Sequence, residues 1–215
     1  MDRAAARRRL GFDPDESMVL YVGRFDPIKG IDRLLEAMAY LKHLKRMRLV
    51  IVGGDGPGTA EYRSLQQLSA KFGIQKSVHF VGRVEQRQLP PYYSAADALV
   101  VPSYYESFGL VGLESLACGT PVVATRVGAM EDIIEDGKTG QVVADLTPRG
   151  LANSIEQIIS YSAGSLLSAH AIRASVRKYG WSNVAAAVLN EYDTVFRNSE
   201  SGPAWRLSAS CGISN

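Results

Sequence analysis

Cysteine is nearly missing: Cys118 and Cys211 are the only two in 215 residues. Two cannot build a disulfide framework, and they fit a reducing compartment, so a cytoplasmic location is expected. Histidine is equally scarce. His43 reads as a helix residue, His79 as a strand residue and His170 as part of a late helix. None has a cysteine or carboxylate at metal-ligand spacing, so each is expected to be structural. Charge of one sign is lacking too: 24 Lys+Arg against 22 Asp+Glu leave +2, which argues against a protein built to coat nucleic acid. No run approaches the roughly 18 apolar residues of a membrane helix. The opening MDRAAARRRLGFDPD carries Arg7, Arg8 and Arg9 without the apolar stretch of a signal peptide. Apolar residues, by contrast, make up 46%, enough to bury a core and to exclude global disorder.

Those apolar residues fall in two textures. Short β-branched runs recur at 18–22, 48–52, 77–81, 98–101, 121–124 and 141–143. Several lack alternation, as strands buried on both faces do. Between them the period becomes helical: Ile31, Leu34, Leu35 and Met38 fall on one face. Segments 60–71, 88–96, 109–117, 130–135 and 149–160 read as further helices. Six strands joined by helices imply an α/β fold, a Rossmann-like doubly wound parallel sheet covered on both faces. Ligands of such sheets bind beyond the carboxyl ends of the strands, which directs attention to loops 23–30, 53–59, 82–87, 102–109 and 125–129.

From about residue 165 the strand signal stops. Helices are expected over 166–179 and 181–197, the second with apolar residues at 184, 188, 192, 195 and 196 that need a covering surface. The tail 198–215 is Ser/Gly-rich without periodicity and is expected to be disordered.

Chemistry is concentrated in two of the loops. After the first strand, GRFDPIKG places Arg24 and Lys29 at the mouth of the sheet, a fork and a point charge suited to phosphate. After the fourth, ESFGLVGLE carries Glu106, then opens a helix at Ser107-Phe108-Gly109-Leu110 that bears Glu114. A helix start is a natural anion site, and a carboxylate further along it suits paired sugar hydroxyls. The residues alone leave open the plainer reading of solvated turns and surface carboxylates. GGDGPG at 53–58 is neither the G-x-G-x-x-G dinucleotide fingerprint nor a G-x-x-x-x-G-K-[ST] loop, so it reads as a tight strand-to-helix turn. Asp13-Pro14-Asp15 matches a D-x-D metal pattern but has the composition of a turn.

Taken together, GRFDPIKG, IVGGDGPG, FVGRV, the block YYSAADALVVPSYYESFGLVGLESLACGTPVVAT and VGAMEDIIEDGKTG resemble, in order, the retaining group 1 glycosyltransferases of the GT-B fold. The likeness spans roughly residues 8 to 197. Two glutamates with seven residues between them are its most specific part. The wording is similar to the branch of sucrose-phosphate synthases and inositol-phosphate N-acetylglucosaminyltransferases. That family has two Rossmann-like domains, and this chain resembles only the carboxy-terminal, donor-binding one.

The resemblance implies a hexosyltransferase-type enzyme half, a fragment inactive alone. Its domain would run over 1–197, with helix 181–197 crossing to a missing amino-terminal acceptor domain. Arg24 and Lys29 would hold the donor diphosphate, and Val84 would touch the nucleobase through its backbone. Glu114 would take the ribose hydroxyls, and Glu106 would face the transferred sugar as the catalytic-position carboxylate. Phe108, Gly109 and Leu110 would present backbone groups to sugar and phosphate. The donor would be a nucleotide-sugar, UDP-linked first, with GDP and ADP open. No cofactor and no metal are implied, no nucleic-acid partner is expected, and peripheral membrane association of a full-length protein is allowed. Two rivals stay open: a non-catalytic nucleotide-sugar or partner-binding module, and a nucleotide-dependent oxidoreductase, which GGDGPG does not support.

Overall fold

The computed structural model describes residues 1–160 and 168–200. All six apolar runs form strands: Ser17–Val22 (β1), Met47–Val52 (β2), Val78–Gly82 (β3), Ala98–Val101 (β4), Val122–Thr125 (β5) and Gly140–Val143 (β6). Every pairing is parallel, in the order β3-β2-β1-β4-β5-β6. Chain progression therefore runs outward in one direction from β1 and in the other from β4. The gap between their carboxyl ends is the switch point of a Rossmann-like doubly wound sheet. β4 and β5 are buried along their whole length, as both-face burial requires.

Helices cover the sheet. The first, α1 (Arg3–Leu10), is followed by α2 (Ile31–Tyr40), α3 (Ala60–Lys71) and α4 (Leu89–Ala95). Then come α5 (Leu110–Ala117), α6 (Met130–Ile133), α7 (Pro148–Ser160), α8 (Ala169–Ser175) and α9 (Trp181–Glu200). Ile31, Leu34, Leu35 and Met38 of α2 are all buried and join β1, β2 and α7 in one apolar core. Among the described residues, no helix is long and apolar enough to cross a membrane.

Four local expectations need revision. Helix α1 was not anticipated, because the residue it buries beside Ala6 is an arginine. Arg7 donates to Ala95 O at 2.9 Å, to Pro14 O at 2.8 Å and to Asp97 Oδ2 at 2.6 Å. A polar residue in the buried position inverts the pattern that reveals a helix. His43 lies in the turn after α2 rather than on a helix, and its ring reaches Glu156 at 2.9 Å. Of the stretch 166–179, the described part is α8 and a 3-10 turn at Arg177–Tyr179; residues 166 and 167 lie outside the described residues. Helix α9 runs on to Glu200, and the remaining tail from 201 lies outside them too.

The chain divides into two compact units, residues 1–177 and 178–215, so α9 belongs to a unit of its own rather than to the sheet domain. Along it Val188, Tyr192, Val195 and Phe196 are exposed.

Asp97 gathers three donors: Arg3, Arg7 and the Met18 N–H in the sheet domain's first strand, the last at 2.7 Å, with Arg7 contributing its guanidinium at 6% side-chain exposure. Arg7→Ala leaves two carbonyls and part of a carboxylate without their donor. A loss of about 3 kcal/mol in unfolding free energy is expected, read from the urea midpoint at unchanged m-value.

Candidate functional site

The loop leaving β1 is shaped by its own residues. Tyr21, buried in β1, donates its hydroxyl to Arg24 O at 2.9 Å. Burial, and then the negative charges of Glu106 and Asp26, push this phenol upward, so it stays a donor. Asp26 caps a 3-10 turn, Pro27–Lys29, by accepting from Ile28 N at 3.1 Å. Gly30 then takes φ 67°, and any Cβ there would collide with Pro102 O. A glycine is therefore required where this loop passes the one leaving β4.

That close passage brings the two loops into register. Tyr104 N donates to Ile28 O at 2.8 Å. Lys29 Nζ lies 2.9 Å from Glu106 Oε1, which also accepts from Ser103 Oγ at 2.9 Å. Both partners are largely enclosed, with side-chain exposures of 20% and 12%. Ser103 is fixed in turn, since its carbonyl accepts from Thr125 Oγ1 at 2.6 Å. Arg24 differs: its guanidinium is 81% exposed and only 3.7 Å from Asp26.

Helix α5 opens at the same place. Gly109 has φ 89°, and a Cβ there would strike Met130 Cε. Phe108 O accepts from Ala129 N at 3.1 Å, tying the helix start to the loop after β5. A cavity of about 300 Å³ at this point is lined by Arg24, Lys29, Glu106, Phe108, Gly109 and Leu110. Six residues singled out from sequence thus share one pocket at the switch point. Two cations and the positive end of a helix dipole suit an anion there. The enclosed carboxylate suits a hydroxyl donor.

Glu114 and Val84 are not on that lining. Glu114 stands further along α5, with Oε2 accepting from Tyr93 OH at 2.6 Å and Oε1 from Gln86 Nε2 at 3.3 Å. Val84 lines a separate cleft with Arg9, Leu10, Arg87 and Tyr92. The cause is local: a capping box between Glu85 and Gln88 folds the chain after β3 into a 3-10 turn leading to α4. Tyr21, Ser103, Tyr93 and Gln86 were not foreseen. Only Ser103, three residues before Glu106, carried a sequence signal, as a hydroxyl within reach of a loop carboxylate.

Asp13 of the D-x-D pattern caps its own turn through Asp15 N at 2.9 Å and pairs with Arg46. Among the described residues, no group of three or more His, Cys, Asp or Glu side chains is arranged to hold a metal.

Known proteins resemble this chain over most of its length. The family model described as glycosyl transferases group 1 matches residues 2–178. The D-inositol 3-phosphate glycosyltransferase 2 of Catenulispora acidiphila is 40% identical over 202 residues, covering 89% of this chain and 46% of that protein. Among solved structures, sucrose-phosphate synthase from Thermosynechococcus elongatus superposes with a TM-score of 0.80 at 37% identity, over 92% of this chain and 50% of that one. Anabaena HepE, solved in complex with UDP, gives 0.72 at 25% identity, over 92% and 52%. The chain thus spans about half the length of the relatives it matches. With the family model covering most of its residues, and the relatives carrying the same Rossmann-like fold, this chain belongs to the group 1 glycosyl transferases.

Proposed function

We propose that this chain is the donor-binding half of a retaining glycosyltransferase, which holds a nucleotide diphosphate sugar while a second, amino-terminal domain presents the acceptor. The observation that carries the reading is the pocket at the β1–β4 switch point, where Arg24, Lys29 and the start of α5 converge beside Glu106. At about 300 Å³ it sits at the small end of ligand sites, as one wall of a cleft does. HepE was solved with UDP, and UDP-sugars are accordingly the first donors to test, ahead of GDP- and ADP-sugars.

In the proposed reaction the bond from the anomeric carbon to the diphosphate breaks, and negative charge grows on the departing oxygens. Arg24, Lys29 and the amino end of α5 stabilise that charge from fixed positions. Glu106 faces the sugar that is transferred. Lys29 and Glu106 are already paired, so donor binding exchanges contacts: phosphate takes Lys29 and sugar hydroxyls donate to Glu106. This reading assigns the leaving-group charge to side chains and backbone, with no metal cofactor required. Val84, in the loop after β3, would meet the base through its main chain, although it lines the other cleft.

Arg24→Ala should weaken UDP binding by about 10-fold while leaving uridine binding unchanged, because the lost contact is to phosphate. Calorimetry with both ligands checks this, and equal losses would move Arg24 off the phosphate. Glu114→Gln removes the charge and one of two acceptor oxygens, so a loss of about 1–3 kcal/mol for UDP and less for 2′-deoxy-UDP is expected. The chain by itself should bind nucleotide yet transfer sugar to no acceptor, since nothing positions the second substrate. Acceptor-dependent nucleotide release from this chain alone would refute the half-enzyme reading. Restoration of transfer by an added acceptor domain would instead exclude a purely sensory module.

A further inference from the structure

Glu114 is held in an unusual way for a surface helix carboxylate. Among the described residues no cation pairs with it, and both its oxygens take bonds from neutral donors, Tyr93 OH at 2.6 Å and Gln86 Nε2 at 3.3 Å. The two donors differ in character. Gln86 is exposed and its bond is long, so an arriving hydroxyl can replace it. Tyr93 is 1% exposed and its bond is short.

Tyr93 is also fixed at its other end. Its backbone oxygen, in α4, accepts from Thr120 Oγ1 at 2.6 Å. Thr120 follows α5, donates its N–H to Ser115 O at 3.0 Å and accepts from Ser115 Oγ at 3.1 Å. Tyr93 therefore clamps α5 at two points, one by main chain beyond its carboxyl end and one by side chain at Glu114. Burial, with Glu114 adding to it, pushes the phenol upward. The hydroxyl stays protonated and can only donate toward the carboxylate.

We propose that Tyr93 is a positioning residue: its hydroxyl locks the Glu114 carboxylate in the orientation that accepts two vicinal hydroxyls, and so sets the preference of the site for ribose over 2′-deoxyribose. This rests on the proposed function and on the assignment of Glu114 to the ribose that the family resemblance implies and the Glu114→Gln variant tests. The physical basis is preorganisation. A carboxylate on a helix surface rotates among orientations, and a ligand needing one of them loses affinity by that fraction. One short bond from a rigid phenol removes the rotation. It uses one lone pair of Oε2 and leaves the remaining lone pairs of both oxygens for the sugar.

The test is calorimetry of the full chain with UDP and 2′-deoxy-UDP, for wild type and Tyr93→Phe. Phe fills the same buried volume and deletes only the hydroxyl. The expected result is a wild type that favours UDP, and a variant that loses about 3- to 10-fold on UDP while 2′-deoxy-UDP changes less than about 2-fold. A purely structural role would weaken both ligands alike, so an unchanged ratio overturns the proposal. Thr120→Val controls for packing: it releases the Tyr93 backbone but spares the hydroxyl, and it should lower the melting midpoint while keeping the ratio. If Thr120→Val erases the ratio as fully as Tyr93→Phe, the effect belongs to packing and the proposal fails. A wild type that binds UDP without discriminating between the two nucleotides removes the ribose assignment itself. A wild type that discriminates, beside a Tyr93→Phe variant that does so equally well, removes only the role of Tyr93.

Discussion

The parallel pairing of β1 with β4 governs the rest of this protein. Only two register pairs define it, Val19 with Ala98 and Leu20 with Leu99, against six between β1 and β2. Yet this seam alone places two non-consecutive strands side by side with their carboxyl ends level. The loops that leave them then run in opposite directions, which opens the gap where the pocket lies. At the amino end of the same seam, Asp97 precedes β4 and accepts from Met18 N in β1. Arg7 of α1 closes over that junction. The seam is thus pinned by charge below and opens on the candidate site above.

Above it, rigidity comes from main chain rather than from side chains. Gly30 lets one loop pass against Pro102 of the other, and Tyr104 N to Ile28 O joins them. The Lys29–Glu106 pair forms on top of that framework. Its partners lie 77 residues apart in sequence, and their distance is set by backbone geometry already fixed by the glycine. Under the proposed function such support matters, because positional error of about 1 Å in a reacting group is costly.

How far this could be read from the chain follows from where the information resides. The strands were legible because burial on both faces leaves unbroken apolar runs, as in Leu49–Val52 and Ala98–Val101. Helix α2 was legible because its buried face is apolar except for Arg33, which lies over the Tyr104 ring at 4.0 Å. Arg24, Lys29 and Glu106 stood out through residue type and place after a strand, Phe108, Gly109 and Leu110 through the family resemblance, and all six line one pocket. Helix α1 was not, since its anchoring contact is an arginine that spends its bonds on carbonyls 7 and 88 residues away. Val84 was assigned by family pattern, but it lines a separate cleft, just before the capping box of Glu85 and Gln88. Tyr93 was hidden beside Tyr92, because nothing in two adjacent tyrosines says which one faces a carboxylate.

The enclosed Lys29–Glu106 pair also bears on which anions the pocket tolerates. A lone orthophosphate reaching Lys29 would compete with Glu106 for the ammonium and bring its own negative charge beside that enclosed carboxylate. A molecule that joins phosphate to a hydroxylated ring satisfies both halves of the separated pair at once. On the proposed donor-binding reading, the same two side chains would favour ligands carrying both chemistries at the right separation over inorganic anions.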